Sequence, residues 1–270
     1  MRLIASDLDG TILHADESIS ARTVAAFAAA RNAGLHVVFV TGRPFRWLGP
    51  VQRAFGHLGT VICSNGALVY DLEAESILAS HTISGSTVLQ VQRRIRSLEP
   101  GAVFAAETLK GLLLEPGFLD EAASRARIRE AVEGPFDAGL LDADGVVKLL
   151  AKTHQVDAEA FQDLVEPRIG GLVSVTHSAP GVALLEMAHP EVNKAVTLAD
   201  YAAGLGIGAD EVLAFGDMPN DVQMLAWAGR GYAVDSGHPL AKTAAGRTTA
   251  SLHDDGVARV IERYLAGDPV

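Results

Sequence analysis

The sequence has a single cysteine, few aromatic residues and fewer positive than negative charges. Cys63 alone can form no internal disulfide and no cysteine-built metal site. It is expected to be a small buried hydrophobe at a strand end. Lysine and arginine total 22 against 33 aspartates and glutamates, a net charge of −11. That field repels nucleic acid and acidic membrane surfaces, so neither is expected as a partner. No apolar run approaches the roughly 18 residues of a membrane span. The N-terminus opens directly on MRLIASD, with no basic region and apolar leader behind it. A cytoplasmic, soluble protein is expected. The nine histidines show no metal-ligand spacing, and there is no internal repeat or low-complexity tract.

What is present is core material. Apolar residues make up 49% of 270, a globular composition long enough for two moderate domains at roughly 150 residues each. "RLIAS" (2 to 6), "LHVVFV" (35 to 40) and "TVICS" (60 to 64) read as buried strands. A helix over 20 to 34, stopping at Gly34, and a shorter one over 45 to 55, broken near Gly49-Pro50, separate them. Continuous β-branched runs alternating with helices predict a doubly wound parallel sheet, Rossmann-like in its rhythm.

The pattern then changes. Residues 66 to 83 alternate as a hairpin, and helices over 86 to 98, 120 to 132 and 157 to 166 follow. They are mixed with strands near 102 to 106, 111 to 115, 145 to 152, 171 to 178 and 181 to 188, the last two parted by a turn at Ala179-Pro180. From about residue 190 the first rhythm returns. The sequence therefore predicts a discontinuous α/β core, residues 1 to 81 and 189 to 270, with an α+β domain, residues 82 to 188, inserted between its halves.

Ligands of an open parallel sheet bind outside the carboxyl ends of its strands. Asp7 and Asp9 follow the first strand; Thr41, Gly42 and Arg43 the second; Ser64 and Asn65 the third; Asp217, Asn220 and Asp221 follow "EVLAF". One such group is an ordinary turn or helix cap. Four at one edge indicate a site. Crowded together, Asp7, Asp9, Asp217 and Asp221 would push some of their pKa values up unless a cation intervened. A hard divalent ion with oxygen ligands fits, and Mg²⁺ is expected because it bridges carboxylates to phosphate. Lys194 sits at a helix start, where the macrodipole disfavours a cation. A local rule broken there marks a functional residue.

These residues resemble the motifs of the haloacid-dehalogenase-like (HAD) superfamily, and their layout looks like its Cof-type sugar-phosphatase branch. "SDLDGTIL", "VTGRP", "NKAVTL" and "FGDMPNDVQML" are similar to its four motifs, in its order, and "CSNGALVYD" matches the branch's pattern after strand three. Two positions depart from the pattern: Ala195 stands where glycine is common, and Met218-Pro219 stands between the Gly-Asp and Asn-Asp pairs.

The resemblance implies a HAD core with an inserted cap, and a Mg²⁺-dependent phosphatase of small phosphorylated metabolites, sugar phosphates or similar monoesters. It makes Asp7 the nucleophile and Asp9 the general acid and base. It assigns Thr41 and Lys194 to the phosphoryl oxygens, with Gly42, Arg43 and Asn220 beside phosphate or substrate. Asn220 would bond the phosphate or orient Lys194. Asp7, Asp217 and the Asp9 backbone carbonyl would hold Mg²⁺, with Asp221 supporting them. Arg46 and Trp47 are expected to pack, Glu186 to be structural, and the basic helices "RRIRSL" and "SRARIRE" to be solvated. A phosphomutase and a non-catalytic binding protein remain as alternatives; a transport ATPase is excluded by the missing spans.

Overall fold

The computed structural model describes residues 1–56, 59–119, 131–177 and 181–270. The chain forms two compact units, Met1–Ala79 with Asn193–Val270, and Ser80–Val192.

In the first unit, β1 (Leu3–Ser6), β2 (His36–Val40), β3 (Thr60–Cys63), β12 (Val212–Gly216), β13 (Arg230–Val234) and β14 (Thr248–Thr249) run parallel. The β4 (Leu68–Asp71) and β5 (Ser76–Ser80) strands extend the same sheet, giving the order β14-β13-β12-β1-β2-β3-β4-β5. β4 pairs antiparallel with β3, so the sheet is mixed at this edge rather than parallel throughout. β1 sits between β2 and β12, which meet it in register, Leu3 opposite both His36 and Val212. All three therefore end at one edge, at Ser6, Val40 and Gly216. β1 and β12, and β2 and β3 toward their carboxyl ends, are buried on both faces, which explains why they read as unbroken apolar runs.

The helix Ala21–Asn32 starts where the Ser20 hydroxyl accepts from the Thr23 amide, a side-chain cap for an otherwise unpaired donor. Its buried face carries Phe27, edge-on to Phe39 of β2 and to Phe55. Phe55 ends the helix Gly49–Phe55, in which Pro50 occupies the first turn. The break expected near Gly49-Pro50 is there: a separate 3-10 turn, Phe45–Trp47, precedes that helix.

The second unit is built on a six-stranded sheet, in the order β10-β11-β9-β6-β7-β8. Its strands are β6 (Val103–Thr108), β7 (Leu112–Leu114), β8 (Ala131–Glu133), β9 (Val146–Lys152), β10 (Ser174–Thr176) and β11 (Leu184–Ala188). Val88, Val91 and Ile95 of the helix Gly85–Leu98, and Phe161, Val165 and Ile169 of the helix Ala158–Ile169, close one core over it.

Two expectations change. Most of the helix expected over 120 to 132 lies outside the described residues, as does the Ala179-Pro180 turn. Ala131 and Val132, however, are strand residues, paired in parallel with Leu112 and Leu113. Backbone partners on a neighbouring strand override helix propensity there. The helix Ala138–Asp144, capped by the Asp137 side chain, was not anticipated from its short apolar pattern.

Glu186, expected to be structural, lies buried with Glu107 around Lys148, whose ammonium is 3.1 Å and 3.5 Å from their carboxylates. Burial pulls the Lys148 pKa down, and Glu186 and Glu107 together push it above its ordinary value.

Phe27→Ala is expected to cost about 3–5 kcal/mol in chemical unfolding of the first unit, the range for deleting a buried aromatic ring. Trp47, exposed at the end of the 3-10 turn, should lose about 0.5 kcal/mol or less on the same change.

Candidate active site

The site is assembled from the ends of β1, β2, β3 and β12 and from the start of one helix. The Asp7 amide donates to the carbonyl of Phe215 on β12 at 2.9 Å, so the aspartate that follows β1 is locked against the neighbouring strand's end. The next turn folds tightly: the Leu8 carbonyl accepts from the amides of Thr11, Ile12 and Leu13. Gly10 lies at φ +79°, and a Cβ there would sit 2.3 Å from Oδ2 of Asp217. Only glycine tolerates both that conformation and that approach. The Thr11 hydroxyl then donates to Asp217 Oδ1 at 3.1 Å, tying the first loop to the loop after β12.

Lys194 is the first residue of the helix Lys194–Gly204, capped by Asn193, whose Oδ1 accepts from the amides of Ala195 and Val196. Its side chain is 1% exposed and donates to Asp7 Oδ1 at 2.6 Å and to Asp221 Oδ1 at 2.7 Å. Two carboxylates thus answer both the helix dipole and the burial of the ammonium. Asp221 is wholly buried, and its Oδ2 accepts from the amides of Asp217 and Met218, each at 3.0 Å. Pro219 opens the 3-10 turn that carries Asn220 and Asp221. Its missing N–H costs nothing there.

Asp7, Asp217 and Asp221 offer oxygens that lie within 4.8 Å of one another. Asp9 does not join them. Its side chain, 53% exposed, is held by Arg43, whose Nε and Nη2 reach its two oxygens at 2.7–3.1 Å. The structure therefore gathers three of the four carboxylates expected to crowd, and the tight turn at Gly10 sends the fourth to the Arg43 fork.

Arg43 also donates to Glu17 and to the Trp47 carbonyl. Its amide donates to the Thr41 hydroxyl at 3.0 Å. Thr41 is fully buried and anchored by its amide to the Ile62 carbonyl. Gly42 lies between these two residues in the turn. Asn220 donates from Nδ2 to Asn65 Oδ1 at 2.9 Å, and its own Oδ1 is buried without a partner among the described residues. Thr11 and Thr197, which join these loops, are not singled out by the sequence, and Asn65 is placed at the strand edge without a role of its own. The signal was there in the threonine behind "DLDG" and in the "SNG" after β3.

The electrostatics follow from burial. Burial raises the Asp7 pKa well above the carboxylate range, Asp221, Asp217 and Asp9 add to that, and Lys194 opposes it. Burial and the Asp221 charge push Asp217 up to about 7, against Lys194 and the Thr11 bond. Burial disfavours the Lys194 ammonium, but Asp221 and Asp7 outweigh it and raise its pKa. Three ionised carboxylates against one ammonium leave two negative charges uncompensated. A divalent cation would balance them. The donor set is oxygen only, as Mg²⁺ prefers, with no histidine or cysteine to favour zinc.

Because the folded pKa of Asp217 lies above its unfolded value, its contribution to stability is present in acid and is lost as pH rises through about 7. Without divalent cations, the melting temperature should fall as pH rises from about 4 to about 7 and level off above that. Asp217→Asn should flatten that fall and raise stability at pH 8 by on the order of 2–4 kcal/mol. Millimolar Mg²⁺ should raise the wild-type melting temperature at pH 8 and leave the variant's nearly unchanged. Parallel pH curves for the two proteins would contradict the charge assignment.

The family model for haloacid dehalogenase-like hydrolases matches residues 4–261. The chain is 27% identical to the 5-amino-6-(5-phospho-D-ribitylamino)uracil phosphatase YitU of Bacillus subtilis, covering 98% of this chain and 97% of that one. It is 24% identical to the pyridoxal phosphate phosphatase YbhA of Escherichia coli, covering 98% of each. Among solved structures, SMU.1108c from Streptococcus mutans superposes with a TM-score of 0.84 at 21% identity, over 98% of this chain and 99% of that one. The chain belongs to the haloacid dehalogenase-like hydrolases, and within them to the Cof-type phosphatases.

Proposed function

We propose that this phosphatase hydrolyses small phosphorylated metabolites, sugar phosphates or similar monoesters, through an aspartyl-phosphate on Asp7 and with Mg²⁺ as cofactor. The observation that carries this reading is the buried Asp7–Lys194–Asp221 chain at the carboxyl edge of the sheet. Lys194 occupies Oδ1 of Asp7, which leaves Oδ2 as the attacking atom. That oxygen bonds to phosphorus as the ester bond to the leaving group breaks. A carboxylate nucleophile divides the hydrolysis into two displacements, each easier than the direct one.

Asp9 stands one residue beyond Leu8 and outside the buried cluster, as an acid and base for the leaving group and the water should. It protonates the departing alkoxide in the first step and takes a proton from the attacking water in the second. The Arg43 fork orients it between steps and must yield it for each proton transfer. Thr41, Gly42 and Asn220 line the phosphoryl oxygens, and Lys194 offsets their charge. Asp7 and Asp217, with Asp221 behind them, would hold Mg²⁺, which would supply positive charge against the phosphoryl oxygens. Asp9 would contribute to it through its backbone carbonyl alone.

The inserted domain, residues 82 to 188, is the cap that selects the leaving group. The relatives named for a phosphoribityl-uracil and for pyridoxal phosphate support a small phosphomonoester as substrate.

With Mg²⁺, the purified protein should release inorganic phosphate from members of a panel of phosphorylated metabolites, ranked by kcat/KM. Asp7→Asn should lower kcat by about 10⁴-fold or more. Asp9→Asn should lower it about 10²- to 10⁴-fold, most for the poorest leaving groups. A folded wild-type protein that releases phosphate from no member of the panel would overturn the reading. Isomerised sugar phosphate without release would point to a mutase.

A further inference from the structure

The turn after β3 carries two non-glycine residues in succession in the left-handed region, Ser64 at φ 50° and Asn65 at φ 57°, followed by Gly66 at φ 103°. All three are buried. Left-handed backbone costs an ordinary residue about 1–2 kcal/mol, asparagine less than most. Such strain persists where the surrounding structure holds it and where it does something.

The turn touches the loop after β2, the loop after β12 and the start of the lysine helix. Amides of Ser64 and Asn65 donate to the carbonyls of Arg43 and Thr41, each at 3.0 Å. The Gly66 carbonyl accepts from the Thr197 hydroxyl at 2.8 Å, one helical turn after Lys194. A Cβ at Gly66 would lie 2.5 Å from the carbonyl oxygen of Asn193, so the turn fits directly under the start of the lysine helix. From the middle of this turn, Oδ1 of the Asn65 side chain accepts from Asn220 Nδ2 at 2.9 Å. That bond leaves the other end of the Asn220 amide, Oδ1, buried and without a partner among the described residues. A buried unpaired polar atom is expensive unless a ligand satisfies it.

We propose that Asn65 is a positioning residue for the phosphoryl site: by accepting one N–H of Asn220 Nδ2 it holds that amide so that the second N–H donates to a phosphoryl oxygen and the buried Oδ1 accepts from water of its hydration shell. The left-handed turn is what brings the Asn65 side chain to Asn220 while its backbone is fastened to Thr41. Asn65 need not touch the substrate; it acts through Asn220. The inference rests on the phosphatase reading of the site given above.

Glycine accepts the left-handed conformation, so Asn65→Gly removes the amide and keeps the turn. Alanine removes the amide and also strains the backbone. The test is a double-mutant cycle of Asn65→Gly with Asn220→Ala, read in kcat/KM on a substrate from the panel and in the calorimetric affinity for inorganic phosphate with Mg²⁺. Asn65→Gly should lower both about 10-fold when Asn220 is present and less than about 2-fold when it is alanine. Asn65→Ala should show the same functional loss as Asn65→Gly but a lower melting temperature. Equal losses in the two Asn220 backgrounds, or no loss in Asn65→Gly, would overturn the proposal. A wild-type protein that binds phosphate but turns over no substrate would sink the phosphatase reading, while the phosphate affinities would still decide the role of Asn65. A wild type that neither binds nor turns over would sink both.

Discussion

One buried ammonium organises this protein's site. Lys194 can be almost fully excluded from water only because Asp7 and Asp221 each accept from it at 2.6–2.7 Å. Removing either partner would leave an uncompensated buried charge, an error worth about 3–5 kcal/mol in comparable pairs. The two carboxylates come from the ends of adjacent strands, and the lysine from a helix that enters 187 residues after Asp7. Strand register, helix start and loop geometry must all agree for the three atoms to meet. The register of β1 with β12, fixed by continuous apolar pairing, supplies the first condition. The Asn193 cap supplies the second by setting where the helix begins.

The lysine satisfies the cluster only in part. With Asp217 added, the carboxylates outnumber the ammonium, and burial raises the pKa values of Asp7 and Asp217 in response. Such a cluster carries excess negative charge at neutral pH that a cation would balance. The loops around it are correspondingly built for close approach. Gly10 lets the backbone come against Asp217, and the left-handed Ser64–Gly66 turn lets the third loop reach both Asn220 and the lysine helix. The Gly10 turn keeps Asp9 outside this crowd, where Arg43 holds its exposed side chain.

Much of this was legible in the sequence, because its causes are local or periodic. The unbroken runs at "LIAS", "VVFV" and "VLAF" could only be strands covered on both faces, and that alone placed Asp7, Thr41 and Asp217 at one edge. Lys194 stood out as a cation at a helix start. Less legible was anything decided by contacts distant in sequence. The spacing of "DLD" suggested two carboxylates side by side, whereas the Gly10 turn and the Arg43 fork separate them. Arg43 read as a substrate contact, and its bonds to Asp9 could not be read from the spacing. Ala131 and Val132 read as helix and became strand because β7 offered backbone partners. Thr11 and Asn65 carry no chemistry of their own, so only their bonds to Asp217 and Asn220 disclose what they do.

The central claim is that Asp7, freed at one oxygen and held by Lys194 at the other, takes the phosphoryl group onto itself. Acid quenching during turnover of a good substrate, followed by mass spectrometry of the peptide containing Asp7, tests it most directly. The account predicts one phosphoryl group on Asp7, labile to hydroxylamine, present with Mg²⁺ and absent after chelation. Turnover at full rate with an unmodified Asp7, or with the phosphoryl group on another residue, would contradict it.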